Sequence, residues 1–260
     1  MILPGSYANG FAPRDGQALY PSLWRGCVGA WAPCLGPSGL TLRDWSGFGR
    51  HGAITNMAGE DWINAQGRYA LDFDSSNDYV SLGAPLVAGS SPRSVTIRAK
   101  FNAVASGGVN RMMYSCGATA SAGTQFEFGQ NGATGGTWYF QGFSANVNFA
   151  IGDTLEHSHT VTYDGSVLRW WIDGTLLGSA TLSLSTNATS HAIGYDIVFN
   201  SSFFNGYVKE LIIHNRVLSL SEIKLLSSRC GIAYELASRR RASLVAGFNR
   251  RRRLLVGAGT

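Results

Sequence analysis

The chain has 260 residues, 45% of them hydrophobic and only 14% charged, with 33 glycines and a formal net charge of +5. One large β-sandwich with short tails accounts for that length, and the glycine content favours many turns over long helices. No stretch approaches the roughly 18 apolar residues of a membrane span, and the opening Met1-Ile2-Leu3-Pro4-Gly5-Ser6 has neither a basic n-region nor an apolar h-region, so no secretory leader is expected. The charge is uneven. Residues 237–253 hold seven Arg and no acid, leaving 14 basic and 16 acidic residues elsewhere, a net of −2. Eighteen of the 21 basic residues are Arg, which suits bidentate contacts with carboxylate or phosphate. The four cysteines, Cys27, Cys34, Cys116 and Cys230, fit no zinc spacing. Cys27 and Cys34 flank a predicted strand and could bridge, but the expectation is four buried thiols in a protein made in the cytoplasm.

In chain order, residues 1–26 are rich in Gly, Pro and Ser with scattered aromatics (Tyr7, Phe11, Tyr20, Trp24) and read as an extended arm. Val28–Trp31 opens a run of short strands, followed by Ala53–Asn56, Tyr69–Phe73 and Tyr79–Leu82, the last two joined across an Asp74–Asp78 turn. Ser94–Phe101 alternates with period two, Val95, Ile97, Ala99 and Phe101 on one face and Ser94, Thr96, Arg98 and Lys100 on the other, which predicts a half-buried strand. Further strands are predicted at Arg111–Ser115, Gln125–Phe128, Thr137–Phe143, Ser158–Tyr163, Leu168–Ile172, Thr175–Thr181, His191–Ile193 and Phe204–Ile213. Asp164-Gly165 and Asp173-Gly174 are hairpin turn signals. One helix is predicted, at Ser219–Leu226, where a Ser cap is followed three residues on by Glu222. About a dozen short strands at turn spacing indicate a sandwich and not a parallel α/β sheet.

Four phrases carry more than strand propensity: Asp44-Trp45-Ser46-Gly47-Phe48-Gly49-Arg50-His51-Gly52, Ala70 to Val80, His159 to Gly165 running on to Trp171-Ile172-Asp173-Gly174, and Phe204 to Ser219. In wording and order they resemble the laminin-G-like (concanavalin A-like) jelly-roll family, of the kind found in phage structural proteins, over residues 27–228. The resemblance implies an all-β, antiparallel two-sheet jelly roll with one short C-terminal helix. It leaves residues 1–26 and the Arg-rich residues 229–260 as terminal arms.

That fold class also contains glycoside hydrolases, whose glucanase members place two Glu and an Asp at alternate positions of one strand. No such run occurs among Glu60, Glu127, Glu156, Glu210, Glu222 and Glu235, and Glu127 has no Asp near it in sequence. A nucleophilic triad is equally thin: His51 belongs to a turn phrase where it packs or caps, His159 starts a strand, and no Ser stands in a nucleophile elbow. His157 and His159, two apart, share a strand face but lack a third metal ligand. No cofactor is expected. Many relatives hold a structural calcium ion, for which Asp44, Asp74, Asn77 and Asp78 are the candidates here. Lys209 stands where the family's late phrase carries an acid, and Asp and Asn also serve tight turns for local reasons.

Sugar binding, the usual inference for the family, needs an aromatic platform beside fixed polar groups. Trp31, Trp45, Trp62, Trp138, Trp170 and Trp171 lie in the body, and adjacent Trp170 and Trp171 must face opposite sides of their strand. Those two are the glycan or interface candidates. Arg239, Arg240 and Arg241, then Arg250, Arg251, Arg252 and Arg253, with apolar stretches between them, are the candidates for contact with a capsid or with nucleic acid. The expected protein is a non-enzymatic bacteriophage virion component, a capsid decoration or fibre-like protein synthesised in the host cytoplasm. Its arms would bind neighbouring virion subunits in a homo-oligomer, its sandwich would meet a host surface glycan, and it would not use a membrane. A stand-alone lectin is the alternative, and a glycoside hydrolase a lesser one.

Overall fold

The computed structural model describes residues 20–83, 86–117, 121–187 and 190–234. Residues 1–19 and the Arg-rich segment from 235 onward, including all seven Arg candidates, lie outside the described residues.

Sixteen strands are described: β1 (Cys27–Trp31), β2 (Thr41–Leu42), β3 (Gly52–Thr55), β4 (Trp62–Ala65), β5 (Arg68–Asp74), β6 (Tyr79–Gly83), β7 (Arg93–Phe101) and β8 (Arg111–Cys116) in the first half. In the second half come β9 (Glu127–Asn131), β10 (Thr137–Gln141), β11 (Val147–Ile151), β12 (Glu156–Tyr163), β13 (Val167–Ile172), β14 (Thr175–Thr181), β15 (His191–Ile193) and β16 (Asn205–His214). They form two eight-stranded sheets. Sheet A has the order β14-β13-β12-β7-β16-β5-β4, with β1 also on β16; sheet B has the order β11-β10-β9-β8-β15-β6-β3-β2. The long β16 pairs with β5 through Asn205–Val208 and with β1 through Leu211–His214, so its edge is used twice. The chain is thus the all-β, antiparallel two-sheet sandwich that the four phrases imply.

Local chemistry explains several of these joins. Asp173 and Gly174 both adopt positive φ (49° and 78°), as a two-residue turn of right-twisted strands requires, and they close the β13–β14 hairpin. Gly206, at φ 151°, brings its backbone against Lys100 O, where any Cβ would collide; this accounts for the glycine in the Phe204-Asn205-Gly206 phrase. The short helix α2 (Leu220–Ser228; α1, Pro21–Trp24, is a single turn) starts on a capping box. The Ser219 hydroxyl accepts from Glu222 N, and the Glu222 carboxylate accepts from Ser219 N at 2.8 Å.

Between the sheets lies an aromatic core. Phe204 meets Phe101 and Phe73 edge-on at 4.8 and 5.6 Å, and Phe128 meets Trp170 at 5.5 Å. A second apolar cluster covers the outer face of sheet A, with Leu23 and Trp24 of α1, Ile223 and Leu226 of α2, and Ile232 and Tyr234 closing over Ile212. The packed body therefore extends past the 27–228 limits at both ends: Leu23 and Trp24 belong to it, as do Cys230 to Tyr234. The same cover corrects the half-buried reading of β7, because Ser94, Thr96 and Arg98 are buried as well. The Ser94 hydroxyl accepts from Leu218 N, just before α2, and Arg98 donates to Ser227 O in its last turn. All four cysteines are buried free thiols, with Cys27 and Cys34 unbridged, and burial pushes Cys27 and Cys116 up to about 12. Among the described residues no helix is long and apolar enough to cross a membrane.

Candidate functional site

Sheet B has a different outer face. On the run into and along β9, Phe126 and Phe128 enter the core, so Gln125 and Glu127 point outward. Gln141 of β10 stands opposite Glu127. On the other side, Tyr114 of β8 faces Phe128, and Phe126 N donates to Cys116 O, which sets Ser115 beside Glu127. Ser115, Glu127 and Gln141 thus form a transverse row of polar side chains, with Gln125 next to it.

The loop between β15 and β16 folds across this row. Its Tyr195 ring lies 4.5 Å from Tyr79 of β6 and stacks at 5.7 Å on Phe203, while its Phe199 stacks on Phe143 beyond β10 at 6.1 Å. Between these aromatic contacts Asp196 turns inward and is 2% exposed. The Gln141 amide nitrogen donates to Asp196 Oδ2 at 3.0 Å and Gln125 Oε1 at 3.1 Å, and approaches Glu127 Oε2 at 3.4 Å. Asp196 Oδ1 accepts from Val198 N and Phe199 N, so the carboxylate also organises its own loop. Glu127 has no exposed surface. Burial, and after it the facing Asp196 carboxylate, hold its carboxyl well above the ordinary range. Burial also pushes Tyr139, on the same face, up to about 12. What results is a hydrogen-bonding surface with flanking aromatics. It is not a solvated acid and base.

The residues picked out in sequence lie elsewhere. Trp170 is a correction: it has no exposed surface, sits in the core, and donates to His159 Nδ1 at 3.4 Å, so it offers no platform. Trp171 faces the other way, half-buried against the cluster under α2. His157 and His159 do not suit a metal either. Both nitrogens of His157 are taken by Asp173 and Asp153, and His159 is wholly buried, with burial lowering it to about 3. Nor does the Asp44 turn suit calcium. Its carboxylate accepts from Ala30 N, Ser46 N, the Ser46 hydroxyl and Arg50 N, at 2.7 to 3.1 Å, while Asp44 N donates to His51 Nδ1, so its oxygens are committed to the turn. Asp74 and Asp78 hold their own turn in the same way, Asp78 Oδ2 accepting from Asp74 N and Asp74 Oδ1 from Ser76 N. Lys209, in place of the family's acid, makes a buried ion pair with Glu156 at 2.5 Å. Among the described residues no group of three His, Cys, Asp or Glu is arranged to hold a metal.

Sequence reasoning missed the Glu127–Asp196 pair and the Tyr79–Tyr195–Phe203 stack. No local signal marks either, because each is assembled across the β15–β16 loop from strands far apart in the chain.

The profile of the Laminin_G_3 family, described as the concanavalin A-like lectin/glucanases superfamily, matches residues 74–224, more than half of the chain. The chain belongs to that family. Solved structures share its fold at low identity. Domain 4 of AbnA, a GH43 extracellular arabinanase from Geobacillus stearothermophilus, solved in complex with arabinotriose, is 17% identical with a TM-score of 0.59, covering 78% of this chain and 98% of that one. Trypanosoma rangeli sialidase in complex with the inhibitor DANA is 12% identical with a TM-score of 0.55, over 77% of this chain but 32% of its own. A mutant of HCR D/C VPI 5995 is 14% identical with a TM-score of 0.58, over 79% of this chain and 52% of its own. The chain therefore spans about a third of the sialidase and half of the HCR protein. No curated protein matches it. The fold is common to lectins and to domains of glycoside hydrolases.

Proposed function

We propose that this chain is a non-enzymatic glycan-binding module, displayed on a virion surface as a capsid decoration or fibre-like protein. The observation that carries the binding reading is the outer face of sheet B. The half-exposed Tyr79, Tyr195 and Phe203 and the exposed Phe199 flank a polar cluster there, the pairing of apolar platform and fixed polar groups that sugar recognition uses. The complex of the AbnA domain with arabinotriose supports it as an instance of this fold holding a sugar. Burial of Glu127 and Asp196 favours binding over hydrolysis. Glycosidase carboxyls flank the scissile bond about 5–9 Å apart with room for substrate, whereas here one Gln141 nitrogen reaches both and the loop seals them.

The virion setting rests on the sequence: the basic clusters Arg239–Arg241 and Arg250–Arg253 are chemically suited to acidic protein surfaces or phosphate. Two measurements test the two halves. A glycan array with the full chain is expected to give hits; a folded chain with no hits sinks the binding reading. Co-sedimentation of the full chain and a 1–236 truncation with native particles is expected to show salt-sensitive attachment that needs the Arg segment; no attachment by either sinks the virion reading.

A further inference from the structure

The row beneath the β15–β16 loop contains more hydrogen-bonding capacity than the protein itself uses. Ser115, Gln125 and Glu127 have no exposed surface, and Ser115 Oγ, Gln125 Nε2 and Glu127 Oε1 find no partner among the described residues. Each unpaired buried group carries an uncompensated loss of its hydrogen bonds to water. Six other buried polar atoms, scattered over sheet A and its cover, also lack a partner among the described residues, so it is the adjacency of these three in one row, beneath a loop and not beneath a packed core, that fits a site.

The cover over them is a self-contained loop. Its ends are held where Gly194 N donates to Met113 O, Met112 N to Ser202 O and Phe204 N to Gly194 O. Within it, Asp196 and Ser201 exchange backbone bonds and the Asp196 carboxylate caps Val198 and Phe199. Asn200 and Ser202 sit at φ 50° and 56°, the left-handed region that non-glycine residues rarely adopt. Beyond its ends, the loop holds the sheet through few groups: Tyr195 on Tyr79, Phe199 on Phe143, Asp196 on Gln141 and Glu127, and Phe203 O, which accepts from Arg111 Nη1 at 3.3 Å. Its internal bonds would survive its lifting as a unit.

We infer that residues 195–203 are a lid over a concealed sugar-binding row made of Ser115, Gln125, Glu127 and Gln141. This rests on the glycan-binding reading and adds to it where the hydroxyls go. The row presents, unpaired and adjacent, a donor at Gln125 Nε2, an acceptor at Glu127 Oε1 and a hydroxyl at Ser115 that can be either. A pair of neighbouring hydroxyls on a neutral sugar matches that set, since each hydroxyl both donates and accepts. With the lid shut, the Asp196 carboxylate occupies the amide of Gln141 that a sugar would use. A ligand therefore binds in competition with Asp196, and the closed population lowers its apparent affinity.

The experiment uses the full chain and neutral trisaccharides (arabinotriose, xylotriose and maltotriose) as probes, with affinity from calorimetry and lid opening from hydrogen exchange of residues 195–203. Asp196→Ala and Phe143→Ala, the second removing the ring on which Phe199 stacks, release the lid at separate contacts; both are expected to speed exchange in 195–203 and to tighten trisaccharide binding about five- to tenfold, since the opening is then already made. Gln125→Ala is expected to abolish binding while leaving lid exchange unchanged. Tighter binding on loosening a loop is something a merely structural role would not produce. If a trisaccharide binds the native chain and neither lid variant tightens it, or Gln125→Ala binds as well as native, the concealed row is wrong while the glycan reading stands. If no form binds any trisaccharide although 195–203 opens as expected, the row is not a sugar site and the glycan reading falls with it.

Discussion

The outer faces of the two eight-stranded sheets are closed in opposite ways. Over sheet A, α1, α2 and the turn at Ile232–Tyr234 lay down a second apolar cluster, which buries engaged and unengaged polar groups together: Arg98 Nε, Trp171 Nε1, Glu210 Oε1, His214 Nδ1 and the Tyr234 hydroxyl find no partner among the described residues, scattered beneath packed apolar side chains. Arg98 donates to Ser227 O, Ser94 bonds to the chain on both sides, and Lys209 pairs with Glu156. Over sheet B one loop makes a few aromatic and carboxyl contacts and leaves three polar atoms of one row unpaired. Each face hides a carboxyl. Burial raises Glu210 on sheet A to about 7, against the opposing hydrogen bond from Gly231 N, and it lies under packed apolar residues. Glu127 on sheet B lies under a loop. The first arrangement suits architecture, because nothing can leave without opening a core. The second suits exchange with a ligand, because the cover is small and held by contacts a polar molecule can replace.

The largest expected effect comes from acid, which acts on the core between the sheets through His159 and His191 and on the sheet A cover through His214, but on no histidine of the outer face of sheet B. His159, His191 and His214 are buried and neutral. Burial lowers them to about 3, 4 and 4, and Leu86 N donates to His191 Nε2, which must stay unprotonated to accept it. Their folded values lie below the unfolded value near 6.5, so the unfolded chain takes up protons first as pH falls. Stability is full above about pH 6.5 and is lost down to about pH 4, at roughly 1.4 kcal/mol per pH unit for each ring and about 4 for the three together. Urea midpoints from pH 7 to pH 4 measure it. A flat profile would mean that the rings are not neutral in the fold.

Next in size is a contrast between the two covers. Ile223→Ala, in a side chain 1% exposed within the sheet A cluster, is expected to cost about 2–5 kcal/mol by opening a cavity. Tyr195→Ala, on the lid, is expected to cost about 1 kcal/mol for the lost ring contacts. Both are read as shifts of urea midpoint at unchanged slope. Equal costs would erase the distinction between a sealed face and a lidded one.

How much of this was legible from sequence follows the range of the contacts involved. The hairpins at Asp164-Gly165 and Asp173-Gly174 and the Ser219 cap were readable because the residues that specify them are neighbours. The edge strands β2, β4 and β11 were not: Ile151 of β11 is 74% exposed, and an edge strand without a buried face has no hydrophobic alternation to show. β7 read as half-buried because its polar face is covered from 124 residues away, by Leu218 and the helix after it. Opposite orientations for Trp170 and Trp171 followed from strand parity, but which of them enters the core depends on the register between β12 and β13. Asp196 reaches Gln141 across 55 residues, so the carboxyl pair at the candidate site could not be found by spacing along one strand.

The smallest expected effect tests the anchor of the sheet A cover. Glu222 completes the capping box with Ser219 and accepts from both Arg216 nitrogens at 2.8 and 2.9 Å. Its partial burial works against ionisation, but the Arg216 and Ser219 hydrogen bonds overcome this and hold it down at about 2. Its folded value is thus below the unfolded one, so its contribution is present above about pH 4.5 and is lost as pH falls toward 2. Ser219→Ala removes the hydroxyl that accepts from Glu222 N and is expected to cost about 1 kcal/mol at pH 7. Because α2 covers sheet A and not sheet B, hydrogen exchange should quicken along α2 and the outer side of β7, while residues 195–203 keep their native rate. Faster exchange in the lid as well would show that the two outer faces open together, and the lid would lose its independence.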